Sequence, residues 1–163
     1  MERSAGILLP VFSLPGPYGI GSLGGPARRF VDFLAEAGQH YWQILPLVPP
    51  GDGSSPYMSP SAFAGNPYLI DLDELAAEGL LTPQELDGAR WPDPDRVDYD
   101  HLAQTRIPLL RKAWERSQTA HLQSDAPDLP WLEDYCTFAA LHDRYQAPFW
   151  QWPEDAPPPE PEE

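Results

Sequence analysis

The chain has 163 residues, 42% of them hydrophobic, with 25 acidic against 10 basic side chains and a formal net charge of -15 at pH 7. That apolar content suffices for one sizeable core and excludes a low-hydrophobicity disordered chain. The negative charge repels a phosphate backbone, which argues against nucleic acid as a partner. A single cysteine, Cys136, allows neither an internal disulfide nor a thiolate metal cluster, so a reducing compartment, the cytoplasm, is expected and Cys136 reads as a small buried apolar residue. Only three consecutive aliphatics precede Pro10, far short of a signal-peptide core or a membrane span, so no membrane partner is expected.

Ile7-Leu8-Leu9 is a short apolar run ended by Pro10, the pattern of a strand buried on both faces, with Val11 and Phe12 as an extension. Pro15 to Pro26 is too rich in proline and glycine to be anything but loop, and Pro26 suits the first residue of a helix. Ala27, Phe30, Val31, Phe33, Leu34 and Ala37 recur at helical steps, and Gly38 is placed to end that helix. Tyr41 to Leu47 is a second apolar segment too short for a helix. Residues 7–47 therefore read as strand, loop, helix, strand: a βαβ unit with parallel strands.

A long polar and proline-rich loop follows, Val48 to Pro67, and loops of this length are usually functional. Asp71 or Asp73 can cap a short helix through Glu78, and Thr82-Pro83-Gln84-Glu85 is a capping box opening another. Pro108 predicts a break between Tyr99 and Leu122, with a helix starting near Pro108 and Leu109, Leu110, Ala113 and Trp114 facing inward. Pro130 opens a last helix through Tyr145, with Leu132, Tyr135, Cys136, Ala139 and Ala140 inward. From Pro153 the chain is proline and acid, which predicts an extended or disordered tail.

Gly19-Ile20-Gly21-Ser22-Leu23-Gly24 is a literal dinucleotide-binding spacing between a strand and a helix. The context fails, because five residues separate the strand-end region from the first glycine and no acid ends the second strand before Asp52. Retaining glycosyl transfer needs two carboxyls about 5–5.5 Å apart, and parallel-strand folds place them at strand C-termini. Only Asp52 is offered after the second strand, so no catalytic pair can be nominated in this chain. His40, His101, His121 and His142 lack metal-ligand spacing, so neither a metal nor a cofactor is expected. Ser54 to Ser61 clusters hydroxyls around Tyr57 after a parallel strand. An aromatic face with nearby hydroxyls suits a sugar ring, and an ordinary turn fits the same residues as well.

Four ordered blocks, Ser4–Pro10, Ser13–Gly21, Tyr41–Leu47 and Ser55–Pro67, together resemble the opening of the 4-α-glucanotransferases of the amylomaltase type, also called disproportionating enzymes. Trp131–Tyr135 and Pro148–Pro153 are similar to a later block. The resemblance implies an α/β fold, the N-terminal part of a (β/α)8 TIM barrel. Residues 1–70 would be its first two β/α units with the substrate-side loop 48–67, residues 71–152 a mainly helical insertion, and 153–163 a tail. It implies transfer of α-1,4-glucan segments to the 4-hydroxyl of an acceptor by retaining double displacement, with an α-1,4-glucan or maltooligosaccharide as substrate. Tyr57 would stack under the sugar beside the scissile bond, and Ser55 would shape that subsite. The family's nucleophilic aspartate and acid/base glutamate would lie C-terminal to this chain, making it inactive alone and prone to self-association as an incomplete barrel. A non-catalytic glucan-binding or regulatory module is the alternative. Where many relatives carry a bulky residue and an aspartate, this chain has Asp52 and Ser54.

Overall fold

The structure, a computed structural model, describes residues 3–91, 93, 96–119 and 129–154. Two compact units divide the chain, Met1–Gln123 and Ser124–Glu163.

In the first unit β1 (Gly6–Leu8) leads through a turn at Val11–Ser13 and the glycine-rich loop into α1 (Gly25–Glu36). β2 (Tyr41–Gln43) then returns alongside β1. The two strands are parallel, with Gly6 opposite Tyr41, Ile7 opposite Trp42 and Leu8 opposite Gln43. The parallel unit expected from residues 7–47 is present. Pro26 lies in the first turn of α1, and Gly38 follows the C-cap Ala37 with φ of +67°, a left-handed position that favours glycine.

Side chains alternate across the sheet, so Ile7 and Trp42 share one face and Leu8 and Gln43 the other. α1 packs on the first face at Trp42, while Ile7 of the same face stays 40% exposed: Phe30 meets the Trp42 ring edge-on at 5.0 Å, and the Trp42 indole N–H donates to the Leu9 carbonyl at 2.8 Å. The other face carries Leu8 at 57% exposure and Tyr41 at 65%. The expectation of a strand buried on both faces is thereby corrected. Two strands can be covered by one helix on one side only, so the opposite side of this sheet stays bare. The strand also ends earlier than its apolar run, because Val11 to Ser13 turns away from the ladder. Val31 and Phe33 of the α1 stripe are exposed for a similar reason: the stripe is wider than the strip of sheet beneath it, and Ala27 and Leu34 alone are fully buried.

α2 (Leu72–Ala77) and α3 (Pro83–Gly88) follow the long loop. Asp71 caps α2, its carboxylate accepting from the Glu74 N–H at 3.1 Å, and Thr82 and Glu85 form the reciprocal capping box of α3. Both caps agree with the sequence reading. α4 (Tyr99–Thr119) does not: it runs unbroken through Pro108. Leu102, Arg106, Leu109 and Ala113 form one buried stripe that spans the proline, and this shared burial holds the helix together across the missing N–H. Trp114, expected inward, is exposed because it sits next to Ala113 and about 100° off that stripe.

The core has two parts. Leu72, Leu80, Leu81, Leu86, Leu109 and Ala113 pack with Tyr18 between α2, α3 and α4. Val11, Leu14, Ile20, Ala27, Leu69 and Leu102 form the second part, which ties the glycine-rich loop to α1 and α4.

The second unit contains α5 (Leu132–Tyr145) and a turn at Phe149–Gln151. None of the residues of α5 is fully buried, and Leu132 and Cys136 are exposed. Their expected inward placement is corrected: one helix and a turn offer too little surface to enclose a side chain. Tyr145 and Phe138 instead pair with Trp152 at 6.0 and 5.6 Å between ring centres. Residues 155–163 of the predicted tail, and His121, lie outside the described residues.

Candidate saccharide-binding site

The loop after β2 is closed at its base, where the Asn66 N–H donates to the Leu47 carbonyl at 2.8 Å. Asn66 is buried, and its side-chain oxygen accepts from the Tyr68 N–H at 2.9 Å, capping the turn Pro67–Leu69. Inside the loop, serine hydroxyls take the place of a regular ladder. Ser61 Oγ accepts from the Phe63 and Ala64 N–H groups at 3.2 and 3.0 Å, while Ser59 Oγ accepts from the Ser61 N–H at 3.2 Å. These two hydroxyls stabilise the loop itself, and Ser59 also donates its proton to the Ser61 carbonyl at 2.7 Å.

Tyr57 stands 72% exposed. Its N–H donates to Ser55 Oγ at 3.3 Å, and the Met58 N–H donates to the Ser55 carbonyl at 3.3 Å. Ser55 accepts here, which leaves its own O–H proton to donate elsewhere. The structure thus brings the two sequence-predicted site residues into one tight turn, with the aromatic ring outside the core. Met58 and Phe63 of the same loop are also exposed. A cleft of about 700 Å³ adjoins this region, lined by Phe12 to Gly16 of the loop after β1, by Arg29 of α1, and by Ser54 and Tyr99. Burial raises the Tyr99 phenol above its ordinary range, with the neighbouring Tyr68 adding to the effect.

The glycine-rich loop has another task. Asp71 is buried; it accepts the Ser22 hydroxyl at 2.5 Å and lies so close to Gly24 that a Cβ there would strike its carboxylate. A carboxylate therefore occupies the approach to the first turn of α1 that a pyrophosphate would need, and like charges repel. Beside it the Tyr18 hydroxyl donates to Asp73 at 2.5 Å, and Arg106, 1% exposed, donates to the Ile70 carbonyl. Burial lowers the Arg106 guanidinium to about 10, against the pull of Asp71 and Tyr18. Burial and the hydrogen bond to Asp73 push the Tyr18 phenol well above its usual range. Sequence reasoning missed this cluster, because Asp71 and Arg106 lie far from Tyr18 and Ser22 in the chain and the four follow no periodic pattern. The Gly24 spacing was its one visible trace. Among the described residues, no group of three His, Cys, Asp or Glu could hold a metal ion.

A family model described as 4-alpha-glucanotransferase matches residues 9–163. The chain belongs to the 4-alpha-glucanotransferase family. It is 43% identical to the 4-alpha-glucanotransferase of Synechocystis sp. over 99% of this chain and 34% of that protein. The Thermus thermophilus 4-alpha-glucanotransferase is 45% identical over 94% of this chain and 32% of its own length. The solved amylomaltase from Streptococcus agalactiae, in complex with acarbose, superposes with a TM-score of 0.82 at 37% identity, covering 95% of this chain and 33% of that one. The chain thus spans about a third of the length of the 4-alpha-glucanotransferases it matches. Among the described residues no helix is long and apolar enough to cross a membrane.

Proposed function

We propose that this chain supplies part of the saccharide cleft of a 4-α-glucanotransferase, with Tyr57 stacking under a glucose ring beside the scissile bond and Ser55 shaping that subsite. The exposure of Tyr57 carries the reading. A ring of this size gains most from burial, yet it stands in solvent on a turn fixed by two hydrogen bonds to Ser55, after the second of two parallel strands. The acarbose held by the Streptococcus agalactiae amylomaltase makes a maltooligosaccharide the ligand class of choice.

In this account β1 and β2 are the first two strands of a (β/α)8 barrel within residues 1–70, and residues 71–152 form a helical insertion. The complete reaction is transfer of an α-1,4-glucan segment by retaining double displacement. An aspartate attacks the anomeric carbon while a glutamate protonates the departing 4-oxygen; the glutamate then takes the proton of the incoming 4-hydroxyl as that oxygen bonds the anomeric carbon and the aspartate carboxylate leaves. Both acids lie outside this chain, C-terminal to it, so the chain alone is inactive. The lone, exposed Cys136 suits a reducing compartment, and we place the chain in the cytoplasm.

Native electrophoresis through a maltodextrin-containing gel tests the binding reading. Retardation that Tyr57→Ala abolishes supports it; equal mobility of both proteins with and without maltodextrin overturns it. Incubation with maltotriose tests inactivity, for which the expected glucose release is none above background.

A further inference from the structure

The turn that carries Tyr57 begins at Gly51, and its backbone comes unusually near the other end of the same turn. A Cβ built on Gly51 would collide with the Met58 carbonyl oxygen, a backbone atom that cannot rotate aside as a side chain can. Gly51 has φ of -90° and ψ of -157°, an extended conformation open to any residue. Glycine is therefore required here by space and not by backbone conformation. Within the closure, the Ser54 N–H donates to the Gly51 carbonyl at 3.0 Å, and Gly53 and Ser54 are both left-handed, with φ of 70° and 59°. A non-glycine residue at positive φ, as Ser54 is, persists only where the surroundings hold it. Gly53 and Ser54 lie in the segment between Gly51 and Met58, whose backbones approach closely. Ser55 then fixes the far side through the N–H groups of Tyr57 and Met58. Tyr57 itself stands largely in solvent, 72% exposed, so the turn backbone is its main support.

We propose that Gly51 is a positioning residue of the saccharide loop, whose absent side chain lets the chain close on Met58 and thereby aims the Tyr57 ring at the sugar. This rests on the proposed role of Tyr57. Gly51 touches no sugar in the account and acts through Tyr57 alone.

The test is a double-mutant cycle in the full chain. Maltoheptaose affinity is measured by calorimetry for the wild type, Gly51→Ala, Tyr57→Ala and the double variant, with amide hydrogen exchange at Ser54, Tyr57 and Met58 recorded alongside. Gly51→Ala is expected to weaken binding about tenfold, the loss expected when a stacking ring is displaced. In the Tyr57→Ala background it should weaken binding no further, which a general loss of stability would not reproduce. Exchange at the three amides should quicken in Gly51→Ala while the melting midpoint of the chain is unchanged. Independent, additive losses overturn the proposal, as does unchanged affinity in Gly51→Ala beside a weakened Tyr57→Ala. If Tyr57→Ala binds as the wild type does, or if the wild type does not bind at all, the saccharide role of Tyr57 fails instead. The exchange data then decide for Gly51: unaltered protection overturns its part in closing the turn, and lost protection upholds it.

Discussion

The Tyr18 phenol links the glycine-rich loop to the start of α2 through its 2.5 Å hydrogen bond to Asp73. Its folded-state pKa lies above the ordinary value of 10.0. The unfolded phenol therefore loses its proton first as pH rises, so the bond contributes fully below pH 10.0 and its contribution declines above it. Tyr18→Phe should cost about 1 kcal/mol at neutral pH and flatten the alkaline decline of stability, read from urea midpoints across the alkaline range. Arg106 is the larger stake. It is buried, with Nε and Nη1 making no hydrogen bond to the protein, and the Ile70 carbonyl and the charge of Asp71 offset part of that cost. Truncation to alanine removes the offset and opens a cavity, so Arg106→Ala should lose about 3 kcal/mol or more in the same assay. Neither residue was legible in the sequence. An arginine midway along an amphipathic helix reads as solvated surface, and only the fold brings Ile70 and Asp71 against it. For Tyr57 the residues alone fit a sugar platform and an ordinary turn equally, and its proposed role comes from the family resemblance, because exposure on a loop depends on packing that local sequence does not encode.

Caps were the most legible feature of the elements. Asp71 and the Thr82/Glu85 box are local, and their hydrogen bonds span three residues. What the sequence could not reveal is that Glu85 also receives Arg116 of α4 at 2.8 and 3.0 Å and Lys112 at 3.4 Å, pinning α3 to α4. The Arg116 hydrogen bonds, ahead of the Thr82 N–H, hold the Glu85 carboxyl well below its ordinary value of 4.5. A depressed folded-state pKa contributes stability above pH 4.5 that is lost as pH falls below it. Glu85→Gln should consequently flatten the acid limb of a melting-temperature profile taken downward from neutral pH. α4 gives the opposite lesson. The rule that proline breaks a helix failed at Pro108 because burial on both sides of the proline outweighs one lost N–H, a tertiary effect invisible locally. Pro108→Ala should therefore stabilise the chain by about 1–3 kcal/mol, measured by chemical denaturation.

For the molecule as a whole, the parallel pairing of β1 and β2 was readable from two short apolar runs flanking a helical one. The burial of those strands was not, because it depends on what else lies against the sheet. Among the described residues the ladder has two strands and leaves Leu8, Tyr41 and Ile44 exposed, from which we propose that the chain pairs with itself. Sedimentation velocity over a concentration series should show association, and Leu8→Lys should reduce it. The central claim is that Tyr57 is the sugar-facing ring of a 4-α-glucanotransferase cleft. Its most direct test is a crystal structure of this chain soaked with acarbose. The account predicts a pyranose ring lying flat over the Tyr57 ring within hydrogen-bonding reach of Ser55; acarbose bound elsewhere, with the Tyr57 face bare, would contradict it.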